Sequence, residues 1–331
     1  MTYRTILFLI AFIFSGLVLS AQLDTTRYFV ENGKLCNKEF ADSYRKVKLV
    51  DEELERYYYE DYYLDDTLKA RGYFLFNRFS HKTGNYTEFY KNGNKKSKGT
   101  YFSDGKSIVG EKVNNWFYWY ENGSVKLETL YGLDTATNKF NSFIINFWDT
   151  VGNKKVVDGD GDYYSKERIS LGSDSAKDFT FSGKIKSGLE DGVWKGFYAD
   201  GTLFSEETFN EKGLVEGKSY DPDGKVYAYT KIQVMPEFKG GDEELKRFLQ
   251  RNVNYPWKEQ SNDIQGTVVI RFTVGEYGKL VDAKVFRSVS TNFDKEALRV
   301  VKMLPDFTPG KMRGRPVSVY YNVPVIYKLQ D

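Results

Sequence analysis

From Gly266 the chain alternates. Val268, Ile270, Phe272 and Val274 are apolar, and the residues between them are mostly polar. A period of two predicts a strand with one buried face. The tetrapeptide Glu276-Tyr277-Gly278-Lys279 interrupts the run, and Leu280, Ala283 and Val285 resume it. Two strands around a glycine-containing loop read as a hairpin over 266–287. On either side the period changes. Leu245, Phe248 and Leu249 fall at i, i+3 and i+4, which predicts a helix over 243–252 with Asp242 as its N-cap. Ala297, Leu298, Val301 and Leu304 predict a second helix over 294–304, ended by Pro305. A last strand is expected over 315–329, with Val317, Val319, Tyr321, Val323 and Val325 on one face. Residues 232–331 therefore read as an α+β domain, an antiparallel sheet with two helices. Six of the chain's seven prolines lie in it.

Between residues 71 and 231 a different pattern repeats. An aromatic-rich run leads into a turn dipeptide in Phe89-Tyr90-Lys91-Asn92-Gly93, Tyr101-Phe102-Ser103-Asp104-Gly105, Trp119-Tyr120-Glu121-Asn122-Gly123, Phe197-Tyr198-Ala199-Asp200-Gly201 and Tyr220-Asp221-Pro222-Asp223-Gly224, with a looser copy over 147–152. Asn-Gly and Asp-Gly supply the positive-φ residues of tight hairpin turns. The aromatics can pair across strands. A single hairpin cannot bury its own apolar face, so the region is expected to be an all-β array of stacked hairpins. Residues 22–70 are a tyrosine-rich segment, with Tyr57–Tyr59, Tyr62 and Tyr63 interleaved with charges. They read as strand with tyrosines covering one sheet face, and a short helical turn is expected at Ala41–Tyr44.

Residues 1–21 combine Arg4, the unbroken apolar run Ile6–Phe14 and the small pair Ser20-Ala21. This predicts a cleaved signal peptide, since the run is shorter than the roughly 20 residues of a spanning helix. The alternative is an uncleaved inner-membrane anchor. No cysteine follows for lipid attachment, and a periplasmic location is expected.

Composition narrows the chemistry. Tyr 26, Phe 25 and Gly 29 fit many short strands. A formal charge of +2, from 48 basic and 46 acidic residues, gives no field that would favour nucleic acid. One cysteine, Cys36, cannot form an intrachain disulfide, and one histidine, His81, excludes most histidine metal sites. Asp158-Gly159-Asp160-Gly161-Asp162 suggests Ca²⁺, but Tyr163 and Ile169 stand where a helix–loop–helix calcium site needs Gly and Glu. No nucleophile–base pair can be named. The expectation is a binding protein with no catalytic residue, cofactor or metal.

Two resemblances extend this reading. The turn units resemble MORN-like repeats of the antitoxin type, which imply a scaffold or contact surface. The last hundred residues resemble the C-terminal domain of the TonB family. The resemblance rests on Phe238-x-Gly240-Gly241, Tyr255-Pro256, the run from Gly266 to Val274, Gly278-Lys279-Leu280, Phe293-Asp294 with Ala297-Leu298, Phe307-x-Pro309-Gly310 and Gly314-x-Pro316-Val317. It implies a domain that contacts outer-membrane TonB-dependent transporters, or other envelope proteins, by pairing a partner's extended segment with an exposed sheet edge. The partner-binding positions it implies are Asn254, Tyr255, Pro256, Val317, Val319 and Tyr321. Inner-membrane motor proteins are implied only if residues 1–21 remain as an anchor. A proline-rich spacer is missing, and repeats occupy its place. A structural envelope scaffold that binds through the repeats is the alternative.

Overall fold

The computed structural model describes residues 25–29, 36–52, 56–75, 82–103, 109–134, 139–171 and 176–329. The signal-peptide reading of residues 1–21, His81 and the Asp104-Gly105 turn fall outside them. The chain forms two compact units, one through Gly159 and one from Asp160 onward.

The first unit is antiparallel sheet. Its strands run from Thr25–Phe29 to Lys154–Val157, and each pairs with its neighbour in sequence. The tyrosine-rich segment belongs to it: Tyr59 is buried on the strand Arg56–Tyr63, and Tyr44 stacks on Tyr62 with centroids 5.2 Å apart. Where a helical turn was expected at Ala41–Tyr44, a 3₁₀ turn occupies Lys38–Phe40 and a strand starts at Ser43.

The repeat turns differ from the sequence reading in type. Only the glycine of each turn takes positive φ: 85° at Gly93, 88° at Gly123, 89° at Gly152, 85° at Gly201 and 86° at Gly224. The preceding residue stays at negative φ, and where it is Asn or Asp it accepts a backbone N–H two residues on, as Asn92 does from Asn94 (3.0 Å), Asn122 from Ser124 (3.0 Å) and Asp200 from Thr202 (2.9 Å). Each turn is therefore a type I turn closed by a glycine bulge. The Gly93 N–H reaches the Tyr90 carbonyl at 3.0 Å, the Tyr90 N–H reaches the Asn94 carbonyl at 2.8 Å, and the register shifts at Phe89.

Successive turns are tied by a tyrosine ladder. The Tyr90 hydroxyl donates to the Trp119 carbonyl at 2.9 Å, Tyr120 to Trp148 at 2.8 Å, and Tyr198 to Tyr220 at 2.8 Å. In these three turns the tyrosine before the turn is thus the fastener between one repeat and the next. Tyr120→Phe is expected to cost about 1 kcal/mol, the net worth of one such bond, read as a lower denaturation midpoint at unchanged m-value. An unchanged midpoint would count against the ladder.

The second unit holds the last repeat strands, from Asp160–Ile169 to Val226–Tyr229, and the C-terminal domain. In that domain Gly266–Val274 lies between Leu280–Arg287 and Val319–Tyr327 in an antiparallel sheet. The α1 helix (Gly241–Asn252) and the α3 helix (Thr291–Val301) cover its inner face, and α2 is a single turn, Trp257–Gln260. Gly240, at φ 93°, takes the N-cap of α1 in place of Asp242. Ser290 caps α3, its hydroxyl accepting the Phe293 N–H at 3.1 Å, so that helix starts earlier than its apolar residues suggested. Val268, Ile270, Phe272, Val274, Phe293, Ala297, Val300 and Val301 form a fully buried core.

The expected last strand, 315–329, is two strands. Arg315–Val317 pairs with Gly310–Met312 in a small second sheet completed by Gln233–Val234, and Val319–Tyr327 pairs with Gly266–Val274. The cause is the hairpin turn Arg313-Gly314, with φ of 48° and 79°. Arg315–Val317 is the return arm of that hairpin, and the chain changes sheets at Ser318.

Candidate functional site

Val319–Tyr327 is the terminal strand of its sheet, so one side of its backbone is unpaired within this domain. Pairing with Gly266–Val274 is regular over its whole length and includes Pro324 opposite Val269. Proline lacks an N–H and sits in an unbulged edge strand only where its nitrogen faces away from the neighbour. Residues two apart share that orientation. Tyr320, Asn322 and Ile326 therefore turn their backbone groups to the open edge along with Pro324. Their side chains lie on the outer sheet face, with Tyr320 72% and Ile326 67% exposed. The Arg271 guanidinium lies 3.6 Å over the Phe286 ring and donates to Asn322 Oδ1 at 2.9 Å, which fixes this face.

Beside the strand runs a groove of about 880 Å³. Leu249 and Val253 with Tyr255 form one wall, the edge residues Pro324 to Leu329 form the other, and Lys246 and Lys328 stand at its rim. Backbone hydrogen-bonding groups alongside an apolar trough suit an extended peptide: the first fix register and the second accepts alternate side chains.

The six positions inferred from sequence fall in three places. Asn254, Tyr255 and Pro256 enter α2. The Asn254 N–H donates to Glu296 Oε1 at 2.7 Å. Tyr255 packs edge-on against Phe293 (5.4 Å) and Tyr327 (5.8 Å), and its hydroxyl donates to the Ile264 carbonyl at 2.6 Å. Burial, then the carboxylates of Asp263 and Glu259, raise its pKa, so it stays a neutral donor. Pro256 is the N-cap of α2. Val319 and Tyr321 lie on the edge strand but alternate with Pro324, so their backbone groups face Gly266–Val274. Tyr321 stacks on Phe272 at 5.6 Å, and burial followed by Asp242 raises its pKa. Val317 is separated from them: it is buried, and it sits in the small sheet. The residues facing the open edge, Tyr320, Asn322, Pro324 and Ile326, are not among the six; Pro324 was the available signal in the sequence, because a proline inside an alternating run marks an edge.

Glu296 anchors the entry loop. A hydrogen bond from Arg299 holds its carboxyl below the usual range, and Arg299 also donates to the Asn252 carbonyl at 2.7 Å. Among the described residues no cluster of three His, Cys, Asp or Glu side chains could hold a metal ion, and no helix is long and apolar enough to cross a membrane.

The sheet, its open edge and the helix α3 have a known counterpart. Residues 251–329 match the family model of the Gram-negative bacterial TonB protein C-terminal domain. Residues 82–102 and 190–211 match a variant of the MORN repeat. No curated protein matches the chain. A TonB-type domain implies a cell-envelope protein, and MORN repeats suggest protein binding. The TonB-type match covers the open edge, the entry loop and the groove residues from Val253 onward, whereas the repeat matches cover two of the turn units described above.

Proposed function

We propose that this chain is a periplasmic TonB-like protein that captures an extended segment of an outer-membrane transporter, or of another envelope protein, on the open edge of Val319–Tyr327. The observation that carries the reading is that edge, with Pro324 orienting Tyr320, Asn322 and Ile326 outward along an apolar groove. The partner adds a strand and places alternate side chains against Leu249, Val253 and Tyr255. The protein binds and does not catalyse. Residues 1–21 direct its export. Coupling to an inner-membrane motor belongs to this reading only with those residues retained as an anchor.

A second proline on the edge tests it. Ile326→Pro removes an outward N–H and leaves the inward ladder intact. It is expected to weaken capture of detergent-solubilised outer-membrane transporters by the full chain at least tenfold, with little change in melting temperature. Val325→Pro removes an inward N–H and should unfold the domain. Full capture by a folded Ile326→Pro protein would sink strand addition at this edge and move the binding to the repeats.

A further inference from the structure

The hairpin Gly310–Val317 carries an arginine on each side of Gly314, and both arginines are buried against the last repeats. Arg313 Nε donates to Glu207 Oε1 at 2.7 Å, and its guanidinium lies 4.3 Å over the Phe181 ring. The Tyr229 hydroxyl donates to the same carboxylate oxygen, and Ser219 Oγ donates to the Arg313 carbonyl at 2.7 Å. Arg315 pairs with Asp221, donates to the Tyr220 carbonyl and to the Tyr198 hydroxyl (3.0 Å), and lies over Phe204 at 4.9 Å and Tyr227 at 5.6 Å. Arg313 is 6%, Arg315 7% and Glu207 3% exposed. Buried charge is retained only with such partners.

The repeats that receive the hairpin differ from the others at the positions that matter. Three residues after the turn glycine, the units turning at Gly93, Gly123 and Gly152 carry Lys96, Lys126 and Lys155. The two units turning at Gly201 and Gly224 carry Phe204 and Tyr227 there, the rings under Arg315. Six residues after the glycine, Gly99 and Thr129 stand in two of those units and Asp158 in the third, where the receiving unit has Glu207, so the contrast rests on the lysine-to-ring exchange. A lysine at 204 would repel the arginines, whereas a ring attracts them. Glu207 supplies the counter-charge.

We infer that the last repeats are a dedicated docking platform for this arginine hairpin, so that the C-terminal domain rides on a rigid mount and not on a flexible tether. Arg315–Val317 leads through Ser318 directly into the edge strand Val319–Tyr327. The anchored arm and the candidate capture strand are therefore one continuous backbone. The mount stands whether or not a partner binds that edge, and its test uses no partner.

Spin labels at Val193→Cys and Lys295→Cys, both exposed positions, in the full chain with Cys36→Ser, report the distance between repeats and domain. A single narrow distribution is expected. Arg313→Ala with Arg315→Ala, and separately Phe204→Lys, should broaden it at least twofold. The exchange Glu207→Arg with Arg313→Glu should restore part of the narrowing that Arg313→Glu alone removes. A broad distribution in the parent overturns the mount whatever the variants do, as does an unchanged width in a folded double-alanine protein.

Discussion

Gly278→Ala is expected to destabilise the C-terminal domain by at least ~3 kcal/mol, lowering its melting temperature by roughly 10 °C or more. Gly278 closes the loop of the central hairpin with the same type I turn and glycine bulge as the repeats: its N–H reaches the Gly275 carbonyl at 2.9 Å, and its φ is 83°. Positive φ alone would cost about 1 kcal/mol for alanine. The larger cost is a collision. A Cβ at this position would stand 1.9 Å from the Phe307 carbonyl oxygen, a backbone atom that cannot rotate aside. Phe307 cannot retreat either. Its N–H donates to the Gly278 carbonyl at 2.8 Å, and its ring packs against Phe238, Phe272 and Tyr321 at 5.3, 5.8 and 5.4 Å. Gly275→Ala is the control, because a Cβ there meets nothing nearer than 3.5 Å. Calorimetry on both proteins checks the contrast. Similar melting temperatures would show that the loop yields and that Gly278 is required for its turn alone.

The hairpin 266–287 was legible because burial there is one-sided. Val268, Ile270, Phe272 and Val274 are all fully buried, and the strand ends agree with the alternation. The same rule failed at Ser318. Val317, Val319 and Tyr321 keep the period of two through the bend, since a change of sheet need not change which residues are apolar. The contrary signals were local: the Arg313-Gly314 turn and the donorless Pro316. Turn type failed for a related reason. Asn-Gly serves both a two-residue turn and a type I turn with a glycine bulge, and the choice lies in the register of the flanking strands, as the shift at Phe89 shows. The arginine hairpin was illegible because a charged turn normally points to water. Its burial depends on counter-charges at Glu207 and Asp221, and both lie about a hundred residues upstream. The candidate edge was half legible. Alternation marks the strand, but it singles out the apolar Val319 and Tyr321, whose backbone groups face inward, and the open edge is defined by the residues between them.

Trp116→Ala is expected to remove about 3–5 kcal/mol from the first unit, the range for truncating a fully buried aromatic. Trp116 is 1% exposed and sits at the centre of an aromatic group: Tyr101 at 4.9 Å, Tyr86 at 6.0 Å, and Tyr118 and Tyr131 each at 6.3 Å. Its ring lies flat on the neighbouring strand at Gly99, where a Cβ would come within 2.2 Å of it, and its indole N–H donates to the Thr100 carbonyl at 3.1 Å. The Lys112 ammonium lies 4.5 Å above the ring, so the residue also holds a charge. Nothing else on those strands could fill the gap, because Gly99 offers no side chain to collapse into it. Each strand here bonds only to its neighbours in sequence, so the damage should stay local. Hydrogen exchange should accelerate first in Lys82–Phe89, Lys95–Ser103, Val109–Trp119 and Val125–Asp134, and least in Ser43–Asp51. Trp116→Phe, which keeps the ring contact and loses the indole donor, should cost well under half as much. Uniform acceleration across the whole sheet would show that the array unfolds as one cooperative block, and the repeats would then be a single domain that happens to be built from similar pieces.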